Sequence, residues 1–141
     1  MKRISFNQRF VNDAGNDLIK DKIHTIRQNY NFWKRFEGRE IALFTWEGKP
    51  YRSKQKVFCV KRIIRVQKLN FYIYKKKTVF KNGYEETIHF QYMCNGLIFD
   101  KRKIKKLAYN DGFNFIQELN EWFENYKSGE MAIIHFTGFQ Y

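Results

Sequence analysis

Residues 72–92, YIYKKKTVFKNGYEETIHFQY, give the strongest indication of the fold class in this sequence. Its two arms, residues 72–80 and 84–92, are rich in aromatic and β-branched residues, which favour strands. Between the arms, Asn82-Gly83 supplies two residues that tolerate the positive φ angles of a type I′ turn. We therefore expect an antiparallel hairpin here, and Asn95-Gly96 predicts a further turn. A meander of antiparallel strands should form the centre of the fold.

Short segments on both sides of this hairpin complete an α+β fold. Before it we expect a weak helix at residues 8–20, a turn or short helix at 31–34, and strands at 4–6, 24–27, 41–46 and 56–68. After it, Asp100 should cap a basic helix at 101–109, and the spacing of Asn114 and Gln117 predicts a second helix that Gly129 ends. A buried strand follows at 131–137. At 141 residues, the chain is expected to form a single domain, 1–141.

The positive charge of the chain is concentrated in two regions. There are 27 Lys and Arg against 14 Asp and Glu, a formal net charge of +13. Residues 49–84 contain twelve basic residues and no acidic one, and residues 101–106 form a second basic cluster. Such a field attracts polyanions, a class that includes nucleic acids, so we expect a polyanionic partner or substrate rather than a surface that only maintains solubility. The predicted nucleic-acid contacts are Lys75, Lys76, Lys77, Lys101, Arg102 and Lys103.

The rest of the composition indicates no membrane, metal or cofactor chemistry. No apolar run is long enough for a membrane span or a secretory segment, so we expect a cytoplasmic protein. Cys59 and Cys94 form no Cys-x-x-Cys pair, which favours two buried, reduced thiols. His24, His89 and His135 lie on separate predicted strands without ligand spacing, so neither a metal site nor a cofactor is expected.

The segment Lys22-Ile23-His24-Thr25-Ile26-Arg27 is the candidate functional motif. In a strand, Thr25 and Arg27 point to the same face because side chains alternate with a period of two, and Lys22 can reach the same pocket. A cation, a hydroxyl and a guanidinium on one surface suit either an anion site or an activated hydroxyl. A structural role is the alternative, with Lys22 solvated, Thr25 in the core and Arg27 paired with an acid.

Four segments together resemble an ASCH domain, a family of the PUA-like superfamily. They are residues 5–10 (SFNQRF), the motif of residues 22–27, the Asp111-Gly112-Phe113 loop with the aromatic helix after it, and residues 133–137 (IIHFT). More narrowly, the chain is similar to uncharacterised ASCH-type proteins of bacteriophages and prophages. The resemblance implies a small antiparallel or mixed β-barrel with peripheral helices.

The same resemblance implies two classes of function. ASCH domains are generally supposed to bind or modify RNA through the cleft beside this motif, which makes Lys22, Thr25 and Arg27 the binding residues. One branch instead hydrolyses the acetyl amide of N4-acetylcytidine with a Lys, a Thr and an acid, which correspond to Lys22, Thr25 and Asp111 as catalytic candidates. The chain departs from the family pattern twice: Lys20 stands where Gly is common, and Asp111 where the hydrolase branch has Glu.

The hydrolase interpretation demands more of these residues than binding does. Burial and the neighbouring Arg27 would have to lower the pKa of Lys22, so that its amine takes the proton of Thr25, whose oxygen attacks the acetyl carbon. Asp111 would orient the lysine or protonate the leaving amine. Binding requires only that charges and hydrogen-bond donors are in place. RNA binding is therefore the function that we expect. A third interpretation is a phage-derived interaction factor whose basic face docks an acidic host protein.

Overall fold

The computed structural model describes residues 1–126 and 128–141, which form an α+β fold with two sheets. In chain order the elements are β1 (Arg3–Ser5), a 3₁₀ turn (Gln8–Phe10), β2 (His24–Gln28), α1 (Tyr30–Lys34), β3 (Glu40–Trp46), β4 (Gln55–Arg62), β5 (Arg65–Phe80), β6 (Gly83–Cys94), β7 (Leu97–Ile98), α2 (Lys101–Asn110), α3 (Ile116–Phe123) and β8 (Gly129–His135).

The smaller sheet has the strand order β1-β3-β4, and the larger has the order β2-β8-β5-β6-β7. β1 and β3 run parallel, and the other pairs of named strands are antiparallel. The pairing of the described strands does not close into a ring. The α+β class with mostly antiparallel strands is therefore confirmed, whereas the PUA-like barrel stays a prediction.

The central hairpin is confirmed, but its turn lies one residue earlier than expected. Phe80 pairs with Gly83, so the two-residue turn consists of Lys81-Asn82. Gly83 opens β6 with a φ of 143°, a conformation that other residues rarely adopt. The next turn, Asn95-Gly96, has φ angles of 55° and 76°, and both are positive as a type I′ turn requires.

The expected helix at residues 8–20 is wrong. Beyond the 3₁₀ turn, the side-chain oxygen of Asn12 accepts hydrogen bonds from the main-chain N–H groups of Asn16 and Asp17, at 3.0 and 3.2 Å. A side chain thus takes the place of the main-chain acceptors that a helix uses. This local competition leaves the segment as a series of turns that leads into β2.

The expected strand at residues 56–68 is two strands that belong to different sheets. Between β4 and β5, the N–H of Ile63 donates to the carbonyl of Arg39, and the N–H of Ile64 donates to the carbonyl of His135, both at 2.9 Å. Arg39 leads into the smaller sheet, and His135 ends a strand of the larger one. Because adjacent amides find partners on different sheets, the chain changes sheet at this point.

The two later helices differ in how their first turns are stabilised. Asp100 caps α2 as expected, since its carboxylate accepts from the N–H of Lys103 at 2.9 Å. α3 begins after Phe115, which has no side-chain cap, and Glu118 instead accepts from the N–H of Asn114 at 3.1 Å. The expected capping by Asn114 is therefore wrong.

Fully buried apolar side chains from both sheets and both later helices form one core. They include Ile41, Leu43, Leu69, Phe71, Leu107, Leu119, Ile133 and Ile134. The core holds β2, β8 and the end of α2 against one another, which positions the site described below. Cys94 is buried and Cys59 half-buried, and both thiols are free. The described helices are all too short or too polar to cross a bilayer.

Candidate functional site

Four of the predicted site residues line one cavity. Lys22, Thr25, Arg27 and Asp111 surround a space of about 20 Å³, together with Asn7, Ile26 and the rings of Phe6, Phe10, Phe113 and Trp122. β2 contributes Thr25 and Arg27, the loop before it contributes Lys22, and the end of α2 contributes Asp111. A space of this size holds about one water molecule. The cavity therefore admits part of a ligand, and a whole nucleobase requires it to widen.

A buried ion pair joins Lys22 to Asp111, whose side chains are 2% and 5% exposed. The Lys22 ammonium donates to the main-chain carbonyl of Asp111 at 2.7 Å and lies 3.2 Å from its carboxylate Oδ1. Asp111 is the C-cap of α2, where carbonyls lack helical partners and the helix dipole favours a cation. The ammonium also lies 4.3 Å from the centre of the Phe10 ring. These contacts hold the cation in place.

The environment makes Lys22 a weaker base than an ordinary lysine. Burial lowers its pKa to about 8, with Arg27 and Arg9 acting in the same direction and Asp111 opposing them. Lys22 is therefore mostly protonated at neutral pH, and it loses its proton under mildly alkaline conditions. Both hydrogen bonds of the ammonium to described residues go to Asp111, and none goes to the Thr25 hydroxyl.

The network continues through His24 to Tyr141. His24 Nδ1 lies 3.2 Å from the Asp111 carboxylate, and Nε2 lies 2.7 Å from the Tyr141 hydroxyl. Because a carboxylate only accepts, Nδ1 carries the proton, and Nε2 accepts from Tyr141. Asn110 donates to the same hydroxyl at 3.1 Å. Burial lowers the pKa of His24, in keeping with a neutral ring. A hydrogen-bonded chain thus runs from Tyr141 through His24 and Asp111 to Lys22.

Arg27 is oriented by its neighbours, but a buried donor of its guanidinium has no partner in the described part of the chain. Its Nη2 donates to the carbonyl of Ser5, and the guanidinium lies 5.1 Å from the centre of the Phe6 ring. Its Nε is buried and has no hydrogen-bond partner within residues 1–126 and 128–141. Leaving such a donor unpaired costs about 1–3 kcal/mol. An anionic or carbonyl oxygen that enters the cavity would satisfy it.

The two basic clusters lie outside this cavity. Lys101, Arg102 and Lys103 form the first turn of α2, and Lys75, Lys76 and Lys77 lie on the part of β5 that pairs with β6 alone. None of the six forms an ion pair with any side chain in the described part of the chain. Strand pairing places Glu86 opposite Lys77 and Glu85 opposite Thr78, so the hairpin is less uniformly basic than its sequence suggests. α2 is the more uniformly basic surface.

Gly112 lets the Asp111 loop approach the Lys22 side chain. Its φ is +91°, and a Cβ at this position would lie 3.0 Å from Cδ1 of Phe10 and 3.3 Å from Cβ of Lys22. Both the backbone conformation and the close contacts disfavour a larger residue. Gly112 therefore allows Asp111 to come close enough to Lys22 to form the ion pair.

His24, Tyr141 and the aromatic rings of the lining belong to the site but were not predicted from the sequence. The signal for His24 was its place within the motif, but no pattern pointed to Tyr141. The strand register places His24 opposite His135, with ring centres 5.3 Å apart. Burial lowers the pKa of His135 to about 3. Across the residues that the structure describes, no group of three or more His, Cys, Asp or Glu is placed to hold a metal ion.

Comparisons of this chain with protein families, with curated proteins and with solved structures found no match. The ASCH resemblance therefore rests on the motifs of the sequence. The chemistry of the cavity and of the basic surfaces is the basis for inferring a function.

Proposed function

We propose that this chain is an RNA-binding module of ASCH type, and that its two sheets correspond to a PUA-like barrel. The observation that carries the proposal is the arrangement along α2. The helix bears Lys101, Arg102, Lys103, Lys105 and Lys106, no acidic residue lies within it, and its C-cap Asp111 lines the cavity beside Lys22. A ten-residue helix is about 15 Å long. One element thus connects a basic surface to the candidate site.

The two regions have different roles in this proposal. Cations of α2 and of the hairpin hold phosphates, which supplies affinity without regard to sequence. At the cavity, the Arg27 Nε–H, which has no partner among the described residues, and the Thr25 hydroxyl can each donate a hydrogen bond to an oxygen of a nucleotide. Trp122 lines the cavity and is 38% exposed, so its ring is available to stack on a base at the mouth.

The test is binding of a labelled single-stranded RNA, followed by fluorescence anisotropy as the salt concentration is raised. We expect affinity to fall steeply with salt, since each phosphate contact releases counterions. The triple variant Lys101→Glu/Arg102→Glu/Lys103→Glu should bind at least about tenfold more weakly, the loss of roughly three phosphate contacts.

The matched control is Lys49→Glu/Arg52→Glu/Lys54→Glu, which changes the net charge by the same amount on exposed residues between β3 and β4. It should lose much less affinity if α2 is the contact surface. Absent or salt-insensitive binding, or equal losses in both variants, contradicts the proposal. Capture of an acidic protein in a complex free of nucleic acid would favour an interaction factor instead.

A second candidate is hydrolysis of N4-acetylcytidine, and the observation that favours it is the lowered pKa of Lys22, about 8, in a cavity shared with Thr25 and Asp111. The Lys22 amine would take the Thr25 proton, the Thr25 oxygen would bond to the acetyl carbon, and the C–N bond would break as the proton passes to the leaving amine. Water would then hydrolyse the acetyl ester to acetate. The hydroxyl must first come within reach of Lys22.

Release of acetate from N4-acetylcytidine tests this second candidate. Activity should vanish in Thr25→Ala and in Lys22→Ala, and Thr25→Val, which keeps the shape of the side chain, separates loss of the hydroxyl from loss of packing. An absence of turnover at micromolar enzyme, or turnover that persists in Thr25→Val, contradicts it.

A further inference from the structure

A second and larger cavity lies at the other end of the network. Its volume is about 370 Å³, within the range of roughly 300–1,000 Å³ that is usual for small-molecule sites. Its lining comes from β6, β7, α2 and the last residues of the chain, and it includes Phe99, Arg102, Lys103, Lys106, Phe139 and Tyr141. It has no residue in common with the Lys22 cavity.

Three aromatic rings make up one part of this lining. The ring centre of Tyr141 lies 4.9 Å from that of Phe139 and 5.4 Å from that of Phe99. Phe139 and Tyr141 are both partly accessible to solvent. A flat aromatic ligand that enters the cavity can therefore contact ring faces or edges without unfolding the core.

Three cations make up the other part. Lys106 lies four positions after Arg102 and three after Lys103, which places the three cations on one side of the helix. Lys106 Nζ lies 4.9 Å from the centre of the Phe139 ring, so charge and aromatic surface are adjacent. Within the described residues, the lining includes no Asp or Glu. The cavity is therefore suited to a ligand that is both aromatic and anionic.

We infer that this cavity is a binding site for a nucleoside monophosphate, with the base against Phe99, Phe139 and Tyr141 and the phosphate on Arg102, Lys103 and Lys106. A base supplies the planar aromatic part, and a phosphate suits a cluster of Arg and Lys donors. The inference goes beyond RNA binding, because a single nucleotide can occupy the cavity whether or not the chain binds a polymer.

Tyr141 connects this site to the Lys22 cavity. Its ring lines the nucleotide cavity, and its hydroxyl is bonded to His24, which is bonded in turn to Asp111. A base that packs against Tyr141 is therefore separated from the buried ion pair by two side chains. Binding should change the NMR signals of the His24 imidazole as well as those of Tyr141.

The experiment is a calorimetric and NMR titration of the full chain with AMP, CMP, GMP and UMP, with the matching nucleosides and inorganic phosphate as half-ligands. We expect saturable binding of at least one nucleotide, and binding at least tenfold weaker for the nucleoside and for phosphate alone. Arg102→Gln/Lys106→Gln should weaken nucleotide binding at least tenfold. Phe139→Ala should weaken it for nucleotide and nucleoside alike.

The matched control is Lys49→Gln/Arg52→Gln, which removes the same charge, one Lys and one Arg, at exposed residues between β3 and β4 that do not line the cavity. It should change nucleotide affinity less than twofold, and the thermal unfolding of all variants verifies that they are folded. Equal losses in the two double variants, or no saturable binding at millimolar nucleotide, overturn the inference. Binding of RNA without binding of nucleotides overturns this inference alone, and the reverse result overturns the RNA proposal alone.

Discussion

Tyr141 and His24 are 117 positions apart in the sequence, yet the Tyr141 hydroxyl donates a 2.7 Å hydrogen bond to Nε2 of His24. The Asp111 carboxylate can only accept, so Nδ1 of His24 carries the proton and Nε2 is left to accept from Tyr141. A residue that lines the second cavity thus completes the hydrogen bonding of the buried imidazole.

Substitution of Tyr141 by Phe should destabilise the protein while leaving the ring in place. Without the hydroxyl, His24 Nε2 and the Asn110 carboxamide lose a buried partner, at a cost of about 1–3 kcal/mol. Urea denaturation measures the loss. Tyr51→Phe is the control, since Tyr51 is 90% exposed. Equal effects of the two substitutions would show that the bond to His24 contributes nothing.

Substitution of Asp111 by Asn should be more severe, because it leaves the Lys22 cation buried without a counter-charge. Breaking a buried ion pair in this way costs about 3–5 kcal/mol. The double variant Lys22→Met/Asp111→Asn removes both charges and keeps an acceptor for His24, so it should recover most of the stability. Equilibrium unfolding of the three proteins checks the order. If the double variant were less stable than Asp111→Asn, the unpaired Lys22 cation would not be the cause of the lost stability.

The stability of the protein should depend on pH through Lys22. Its pKa falls from 10.5 to about 8 on folding, chiefly through burial. Between these values the unfolded chain binds a proton that the folded protein has released, so the free energy of unfolding rises with pH, by at most about 1.4 kcal/mol per unit. Below pH 8 both states are protonated and this contribution is constant.

The measurement is the difference in unfolding free energy between the wild-type protein and Lys22→Met, taken across this window. The contributions of the tyrosines and cysteines to the pH dependence are common to both proteins and cancel in the difference. The difference should shift in favour of the wild type as pH rises above 8. A difference that does not vary with pH would show that Lys22 keeps an ordinary pKa in the folded state.

Substitution of Gly112 by Ala should destabilise the loop that carries Asp111. A side chain at φ +91° costs about 1–3 kcal/mol, and the new Cβ also crowds Phe10. Gly138→Ala is the control, since nothing lies within 4 Å of a Cβ there and its φ is not in the positive range. Thermal unfolding compares the two. A Gly112→Ala protein as stable as the control would mean that the loop can rearrange at no cost.

Much of the fold could be predicted because its signals are local. The β-prone arms of residues 72–92 and the turn residues between them predict the hairpin, and the carboxylate of Asp100 predicts the start of α2. The errors have local causes that the pattern does not reveal. Asn12 diverts main-chain donors from the expected helix, and the Ile63-Ile64 pair bonds to two sheets where the pattern predicts one strand.

The candidate site could be predicted in part for the same reason. The spacing of Lys22, Thr25 and Arg27 places them on one short segment, and they line one cavity. The burial that lowers the pKa of Lys22 could not be predicted from the motif, which left a solvated lysine as an alternative. The closeness of Tyr141 to His24 has no local signal, because it depends on how the last residues of the chain fold back over α2.

Residue types and their spacing along single segments are enough to predict the strand pattern, the surplus of positive charge and the motif of residues 22–27. Three properties depend instead on the tertiary structure: Lys22 is buried against Asp111, Nε of Arg27 has no partner among the described residues, and Glu85 and Glu86 reduce the positive charge of the hairpin. Burial, pKa and charge pairing arise from residues that meet in space, and packing of the sheets and helices brings those residues together.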